Sequence, residues 1–251
     1  MPITHELTDG IAEVVVNNPP VNALDVAGWF RLAELLTELG DNPAVRVVIL
    51  TAEGRGFNAG VDIKEMQRSE GHGALIGANS GCYAAFAAVY DCKVPVIAAV
   101  HGYCLGGGIG LVGNADIIIA SDDATFGLPE VKRGALGAAT HLARLVPQHK
   151  MRAMVYTTET ATAAELHHYG SVYKVVAKSE LREAARILAR DIAATSPTVI
   201  RAAKQCLNGI DLQDVKRSYR FEQGFTFELN LSGVADEARD AFIEKRDAKD
   251  E

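Results

Sequence analysis

The sequence predicts an α/β chain: a stack of strand, helix, strand units followed by a mostly α C-terminal third. Three observations carry this. Continuous apolar runs, VRVVILT over 45–51 and VPVIAAV over 94–100, have the composition of strands buried on both faces. Segments with one-faced helical spacing lie between such runs, and a strand, helix, strand order implies a right-handed crossover. Beyond Met151 the strand signals thin out, with Val172 to Val176 the last good candidate.

Taken in order, Ile3 to Leu7 and Ile11 to Val16 are short apolar runs joined by Thr8-Asp9-Gly10, a hairpin signal. After Asn17-Asn18-Pro19-Pro20, the segment Asp25 to Leu39 places Trp29, Leu32, Leu35, Leu36 and Leu39 on one helical face. Asp25 is its expected N-cap and Gly40 its expected stop. The strand at 45–51 follows. Cys82 to Tyr90 reads as helix, Val94 to Val100 as strand, the glycine cluster after it as the start of a helix, and Ile117 to Ala120 as strand. Helices are then expected over Thr162 to Tyr169, Ser179 to Ala194, Pro197 to Gly209, Leu212 to Leu229 and Asp236 to Arg246. No repeat of fixed solenoid period is present.

A chain of this length supports one large domain, or a domain with a smaller appendage. Its 48% hydrophobic, 23% charged and 6% aromatic residues are those of an ordinary globular protein. A net charge of −7 argues against nucleic acid or an anionic membrane as the main partner, since either calls for a basic face. The start, MPITHELTDG, has neither a basic nor an apolar leader region, so a cytoplasmic location is expected. The most apolar stretch, Val94 to Ala120, is interrupted by His101, Asn114, Asp116 and several glycines, which excludes a membrane-spanning reading. Cys82, Cys92, Cys104 and Cys206 lack zinc-ligand spacing and are expected to be reduced, buried thiols, with no metal site.

Three segments carry chemistry. Gly54-Arg55-Gly56-Phe57-Asn58-Ala59-Gly60-Val61-Asp62-Ile63-Lys64 follows a buried strand, at the end where open parallel sheets bind ligands. It reads either as a ligand turn, with Ala59 and Gly60 allowing close backbone approach, or as an ordinary strand-to-helix turn. His101 to Gly110 (HGYCLGGGIG) places three glycines at a helix start, where unpaired N–H groups suit an oxyanion. Gly108 to Gly113 also fits G-x-G-x-x-G, but it begins well past the strand end at Val100, and a dinucleotide fingerprint should follow its strand at once. In Ala124-Thr125-Phe126-Gly127-Leu128-Pro129-Glu130, the closing carboxylate is either a general acid or base, if apolar neighbours raise its pKa, or a surface cap.

In this order and spacing, PVNAL at 20–24, FNAGVDIKEM, HGYCLGGGIGL, FGLPE and the closing AFIEKR resemble the crotonase superfamily, also called the enoyl-CoA hydratase/isomerase family, over essentially the whole chain. The resemblance implies a crotonase (ClpP-like) spiral of ββα units with an α-helical C-terminal region. It divides the chain into a core over 1–190 that binds the CoA thioester and a helical oligomerisation region over 191–251. It implies an acyl-CoA substrate, with coenzyme A part of that substrate and no other cofactor, and a homotrimer or dimer of trimers. Carried over by position, the N–H groups of Val61 and Gly107 form an oxyanion hole for the thioester oxygen. Ala23, Leu24, Ala59, Val61 and Ile63 line the CoA site, and Lys64 and Lys245 meet the CoA phosphates, although both also read as solvated surface lysines.

Hydratases of the family use two glutamates, and here the first position falls on Gly110 while Glu130 keeps the second. The loop from Val131 to Thr140 is also shorter than usual and lacks the customary Pro-Gly. One branch of the superfamily, the ring-opening hydrolases acting on the last steroid rings in bacterial cholesterol breakdown, is similar in GFNAGVDIKEMQ, GGGIGLVGN, DDATFGLPEV, RGALGAATHL, RLVPQH and EQGFTFELNL. That similarity implies hydrolytic cleavage of a ring C–C bond, of retro-Claisen type, through an enolate held by Val61 and Gly107. Glu130 is the first candidate acid or base and His141 the second, with a core histidine the alternative reading of the latter. Glu222, Glu228 and Asn230 are further residues that either reach the pocket or pack against a neighbouring subunit. Two other readings stand beside this one: a hydratase or isomerase with a single acid/base glutamate, and a non-catalytic acyl-CoA-binding member.

Overall fold

The structure, a computed structural model, describes residues 2–69 and 71–244. Strands β1 (Ile3–Thr8) and β2 (Ile11–Val16) form an antiparallel hairpin whose turn residues Asp9 and Gly10 both have positive φ, the geometry that matches strand twist. Helix α1 (Val26–Asp41) begins at Asp25, whose carboxylate accepts the Gly28 N–H at 2.7 Å. Gly40 does not stop it. The helix runs to Asp41, with Gly40 buried where a Cβ would crowd Cys92 and the Lys93 backbone, so its glycine serves packing rather than termination.

Then come β3 (Val47–Ala52), α2 (Ile63–Arg68), α3 (Gly73–Tyr90), β4 (Val96–Val100), β5 (Tyr103–Leu105), α4 (Gly107–Val112), β6 (Ile117–Ser121) and β7 (Thr125–Gly127). A 3-10 turn, Glu130–Arg133, leads to α5 (Ala139–Leu142), α6 (Gln148–Thr157), β8 (Thr160–Thr162), α7 (Ala163–Tyr169) and β9 (Lys174–Val176). The chain closes with α8 (Leu181–Ala193), α9 (Pro197–Gly209), α10 (Val215–Leu231) and α11 (Val234–Glu244). Lys245 and Arg246 lie outside the described residues.

The main sheet has the order β1-β2-β3-β4-β6-β9, parallel from β2 onward. Its central strands are buried on both faces, as their composition requires. Val48, Leu50, Val96, Ala98, Ile118 and Ala120 face the large core under α1 and α3. Their alternates Val47, Ile49, Ile97, Ala99 and Ile119 face Leu181, Ala185, Ala189 and Ala193 of α8. A second sheet of β5, β7 and β8 stands beyond the strand ends. Its members are three residues each, too short to give a period, which is why the sequence does not announce them. Helix α6 is likewise silent in the sequence, because only Met154 along it is buried.

Helix α3 begins nine residues before its predicted start at Cys82. It packs on α1 through Gly77 and Gly81, where an added Cβ would fall 2.9 Å from Val26 and 2.8 Å from Trp29. Being apolar around most of its circumference, it lacks the one-sided stripe that would mark its beginning. Cys82, Cys92 and Cys104 are buried free thiols, whereas Cys206 is exposed on α9, contrary to expectation. No helix among the described residues is long and apolar enough to cross a membrane.

Candidate functional site

The turns after β3, β4 and β6 leave the sheet at the carboxyl ends of parallel strands, where side chains from several loops converge. Two asparagines build the first turn. Asn22, at φ 55°, donates to the carbonyls of Glu53 (2.7 Å) and Gly56 (2.8 Å), tying PVNAL to the turn. Asn58 is 1% exposed; its Nδ2 donates to the Asn22 carbonyl and its Oδ1 accepts the Gly60 N–H at 2.8 Å. The Gly60 carbonyl accepts the Leu24 N–H at 3.0 Å, and Asp62 N–H donates to Leu24 O at 2.9 Å. In a trans peptide the C=O and N–H point oppositely, so the Val61 N–H is aimed away from Leu24.

The second turn lies directly against the first. Leu105 N–H donates to Asn58 O (2.9 Å), pairing β5 with the Asn58 segment. A Cβ on Gly60, at φ 92°, would come within 3.1 Å of the Gly107 nitrogen, so only glycine lets the two backbones approach this closely. Gly107 is the first residue of α4, where a helix offers its N–H no acceptor. Among the described residues, no hydrogen bond outside the regular elements uses the N–H of Val61 or of Gly107. Both residues are half-buried and line one cavity of about 120 Å³.

Glu130 enters the same cavity from the third turn. β7 runs parallel to β5, and Gly106 N–H donates to Gly127 O at 3.2 Å, which fixes Leu128-Pro129-Glu130 over the glycine turn. A Cβ on Gly106 (φ 57°) would fall 2.2 Å from Glu130 Oε1, placing the carboxylate one residue from the Gly107 amide. Its Oε2 is buried with no hydrogen-bond partner among the described residues. Burial pushes the pKa of Glu130 up to about 7; a backbone N–H and the Arg133 guanidinium oppose the rise, and the Glu222 carboxylate adds to it. The buried Cys82 thiol on the same wall is raised by desolvation and by Glu130.

Gly110 explains what stands in place of a second carboxylate. A Cβ there would lie 2.2 Å from the Phe86 ring, so the phenyl group occupies the space a longer side chain would need. Phe86 lines the cavity and meets Trp29 edge-on at 5.7 Å. Ile63, Met66, Leu75, Leu136 and Tyr219 continue an apolar wall, with Asn79, Arg133, Thr226, Asn230 and Arg239 the polar points on it.

The structure thus brings Ala59, Val61, Ile63, Gly107 and Glu130 to one cavity. Ala23 and Leu24 are joined to it through the Leu24 hydrogen bonds without lining it; Lys64 is exposed at the start of α2. Lys245 lies outside the described residues. His141 stands elsewhere, behind Phe86 and Tyr219, with ring centroids 5.1 and 5.0 Å away. It is 1% exposed, neither ring nitrogen has a partner among the described residues, and burial followed by the charge of Arg144 lowers its pKa to about 3. Glu222 accepts the N–H groups of Ala139 (2.7 Å) and Thr140 (3.0 Å), which anchors the start of α5. Asn230 reaches the cavity and holds Arg239, while Glu228 is exposed. Phe86, Arg133, Asn79 and Tyr219 were not singled out from the sequence. Only Arg133 left a signal, its spacing of three residues from Glu130. Among the described residues no group of three or more His, Cys, Asp or Glu is placed to hold a metal ion.

The family profile described as Enoyl-CoA hydratase/isomerase matches residues 6–251. A (7aS)-7a-methyl-1,5-dioxo-2,3,5,6,7,7a-hexahydro-1H-indene-carboxyl-CoA hydrolase of Rhodococcus jostii is 66% identical, over 94% of this chain and 92% of its own. A protein of the same description from Mycobacterium tuberculosis is 66% identical over 98% of this chain and all (100%) of its own. A solved enoyl-CoA hydratase from Mycobacterium avium subsp. paratuberculosis superposes with a TM-score of 0.88, covering 100% of this chain and 99% of that one; at 23% identity it speaks for the fold alone.

Proposed function

The chain belongs to the enoyl-CoA hydratase/isomerase family, and from that membership we propose that Val61, Gly107 and Glu130 open a ring of a bicyclic acyl-CoA by adding water to a ring ketone. The substrate is the one its 66% identical relatives are named for, the methyl-dioxo-hexahydroindene-carboxyl-CoA, and the reaction belongs to steroid ring degradation. One observation carries the reading at the level of residues: Phe86 fills the space beside Gly110, leaving Glu130 as the lone carboxylate among the described residues that faces the amide pair in an apolar cavity. A site with two opposed carboxylates suits addition of water across a double bond. This one suits a single proton carrier used twice.

Glu130 takes a proton from water as the oxygen adds to the ring ketone. When the adjacent ring C–C bond breaks, its electron pair passes through the conjugated double bond to the thioester oxygen. The N–H groups of Val61 and Gly107 receive that charge, which grows only as the bond breaks, so their hydrogen bonds strengthen where the barrier lies. Glu130 returns its proton to the ring carbon, leaving a carboxyethyl arm. Ala59, Val61 and Ile63 form the CoA side of the cavity, and Ala23, Leu24 and Lys64 join the CoA site by their match to the family's motifs. His141, sealed behind Phe86, has no part in these steps.

Mass spectrometry of the bicyclic thioester after incubation tests the reading, with a gain of one water and an opened ring expected. Crotonyl-CoA should remain unhydrated. Rapid hydration of crotonyl-CoA without ring opening would overturn the reading. Glu130→Gln should lower kcat more than a hundredfold with little change in CoA binding. Because the base must be ionised, wild-type kcat/KM should rise with pH up to about 7 and then level. The cytoplasm, where CoA thioesters are made and consumed, goes with this reading. So does a homotrimer or dimer of trimers packed through helices α9 to α11.

A further inference from the structure

The reaction proposed above generates negative charge at two places, and the amide pair accounts for only one of them. When water adds to the ring ketone, the ketone oxygen becomes the oxyanion of a tetrahedral adduct. When the ring bond breaks, charge moves to the thioester oxygen, at the other end of the conjugated system. One pair of adjacent N–H groups cannot serve both ends.

Arg133 stands beside Glu130 on the cavity wall. It closes the 3-10 turn that Glu130 opens, and at three residues per turn the two side chains eclipse on one side of that turn. Both line the cavity. The charges act on each other: the guanidinium draws the pKa of Glu130 down, and the carboxylate holds the Arg133 pKa up against its burial. Arg239 also reaches the cavity, by way of an ion pair with Asp236 and a hydrogen bond to Asn230, but the guanidinium acting on Glu130 is that of Arg133. Since Glu130 activates the water, the carbon attacked lies beside Glu130, and so within the reach of its neighbour.

Resting on that reading of the reaction, we propose that Arg133 is a second oxyanion site, holding the oxygen of the attacked ring ketone first as the adduct oxyanion and then as the carboxylate of the opened ring. The atoms balance. Water's oxygen bonds to the ketone carbon and one of its protons goes to Glu130. The adduct collapses to a carboxylic acid as the ring C–C bond breaks and its pair moves to the thioester oxygen. The enolate then takes the proton from Glu130 at the ring carbon, and the new acid ionises. Substrate and one water give the product carboxylate and one proton, with no change of oxidation state to be made up elsewhere. The planar fork of a guanidinium matches the two oxygens of the product, and a point charge matches them less well.

The test compares two neutral-versus-charged ligands on the intact protein: the ring-opened CoA product and its methyl ester at the carboxyethyl arm. Wild type should bind the free carboxylate about tenfold or more tighter than the ester. Arg133→Met should abolish that preference while binding the ester within about twofold of wild type, and should lower kcat about tenfold to a hundredfold. Arg133→Lys should restore part of both. An unchanged preference for the carboxylate in Arg133→Met overturns the inference. Should that variant fail to fold, a wild-type protein that binds acid and ester alike overturns it without any mutation. Failure of the reaction reading looks different: wild type then leaves the bicyclic thioester unopened, whatever its preference between acid and ester.

Discussion

At the scale of single residues, buried polar groups in this protein divide by what they face. Glu130 faces a cavity, and its unpartnered Oε2 is available to a reacting molecule. His141 is equally unpartnered but faces the rings of Phe86 and Tyr219, so its desolvation is uncompensated. Stability should record the difference. The folded His141 resists protonation down to about pH 3, against an ordinary 6.5, so between those values the unfolded chain takes up a proton that the folded chain refuses. Stability therefore falls as pH drops below 6.5, by up to about 1.4 kcal/mol per pH unit from this residue. Glu130 contributes with the opposite sign, because the folded protein holds its proton up to about pH 7 and the unfolded chain releases it near 4.5. Comparing His141→Leu with wild type isolates the histidine. In urea melts at pH 7 and pH 5, the acid loss of wild type should exceed that of the variant by about 1–2 kcal/mol, and equal losses would contradict the account.

At the scale of elements, the site is an assembly of strand ends fixed by side chains that bond to backbone. Asn58 is the centre of it, buried, and bonded at one end to the Gly60 N–H and at the other to the Asn22 carbonyl. Asn58→Ala leaves both backbone groups unpaired and frees the peptide that orients the Val61 amide. The expected cost is about 2–4 kcal/mol of stability, with kcat reduced and KM nearly unchanged if the Val61 amide has its proposed role, because an oxyanion donor acts mainly in the transition state. Denaturant melts together with steady-state kinetics measure both; wild-type kcat in a folded Asn58→Ala would show that the turn is held by other means. The glycines of this region were legible in the sequence as turns. Their partners were not, since Gly60 meets Gly107 and Gly110 meets Phe86 across long stretches of chain.

At the scale of the whole molecule, the C-terminal helices do two things at once. Tyr219, Thr226, Asn230 and Arg239 of α10 and α11 complete the cavity wall. The outer faces of the same region carry exposed apolar side chains, including Leu212, Phe221 at 72% and Leu231 at 68% exposure. Phe221 and Phe225 stack edge to face at 5.3 Å beside Val131 and Tyr156, around a groove of about 910 Å³. Apolar surface of this kind is normally covered. Light scattering should give the mass of three or six chains, and replacing Phe221 and Leu231 with serine should shift it toward one. A monomeric wild type at micromolar concentration would refute the assembly.

The sequence alone determined the strands of the main sheet and the turns that follow them, because burial on both faces imposes continuous apolar runs and tight turns demand glycine. It also determined the family, through motifs matched along the whole chain, and singled out Val61, Gly107 and Glu130 as candidates. Only the tertiary structure decided which side chains surround them. Phe86 in the space beside Gly110 and His141 sealed away from the cavity each depend on contacts between elements, and no local period or propensity encodes a contact between residues far apart in the chain. Local rules fix the backbone near each residue; the shape and charge of a cavity belong to the packing of many elements at once.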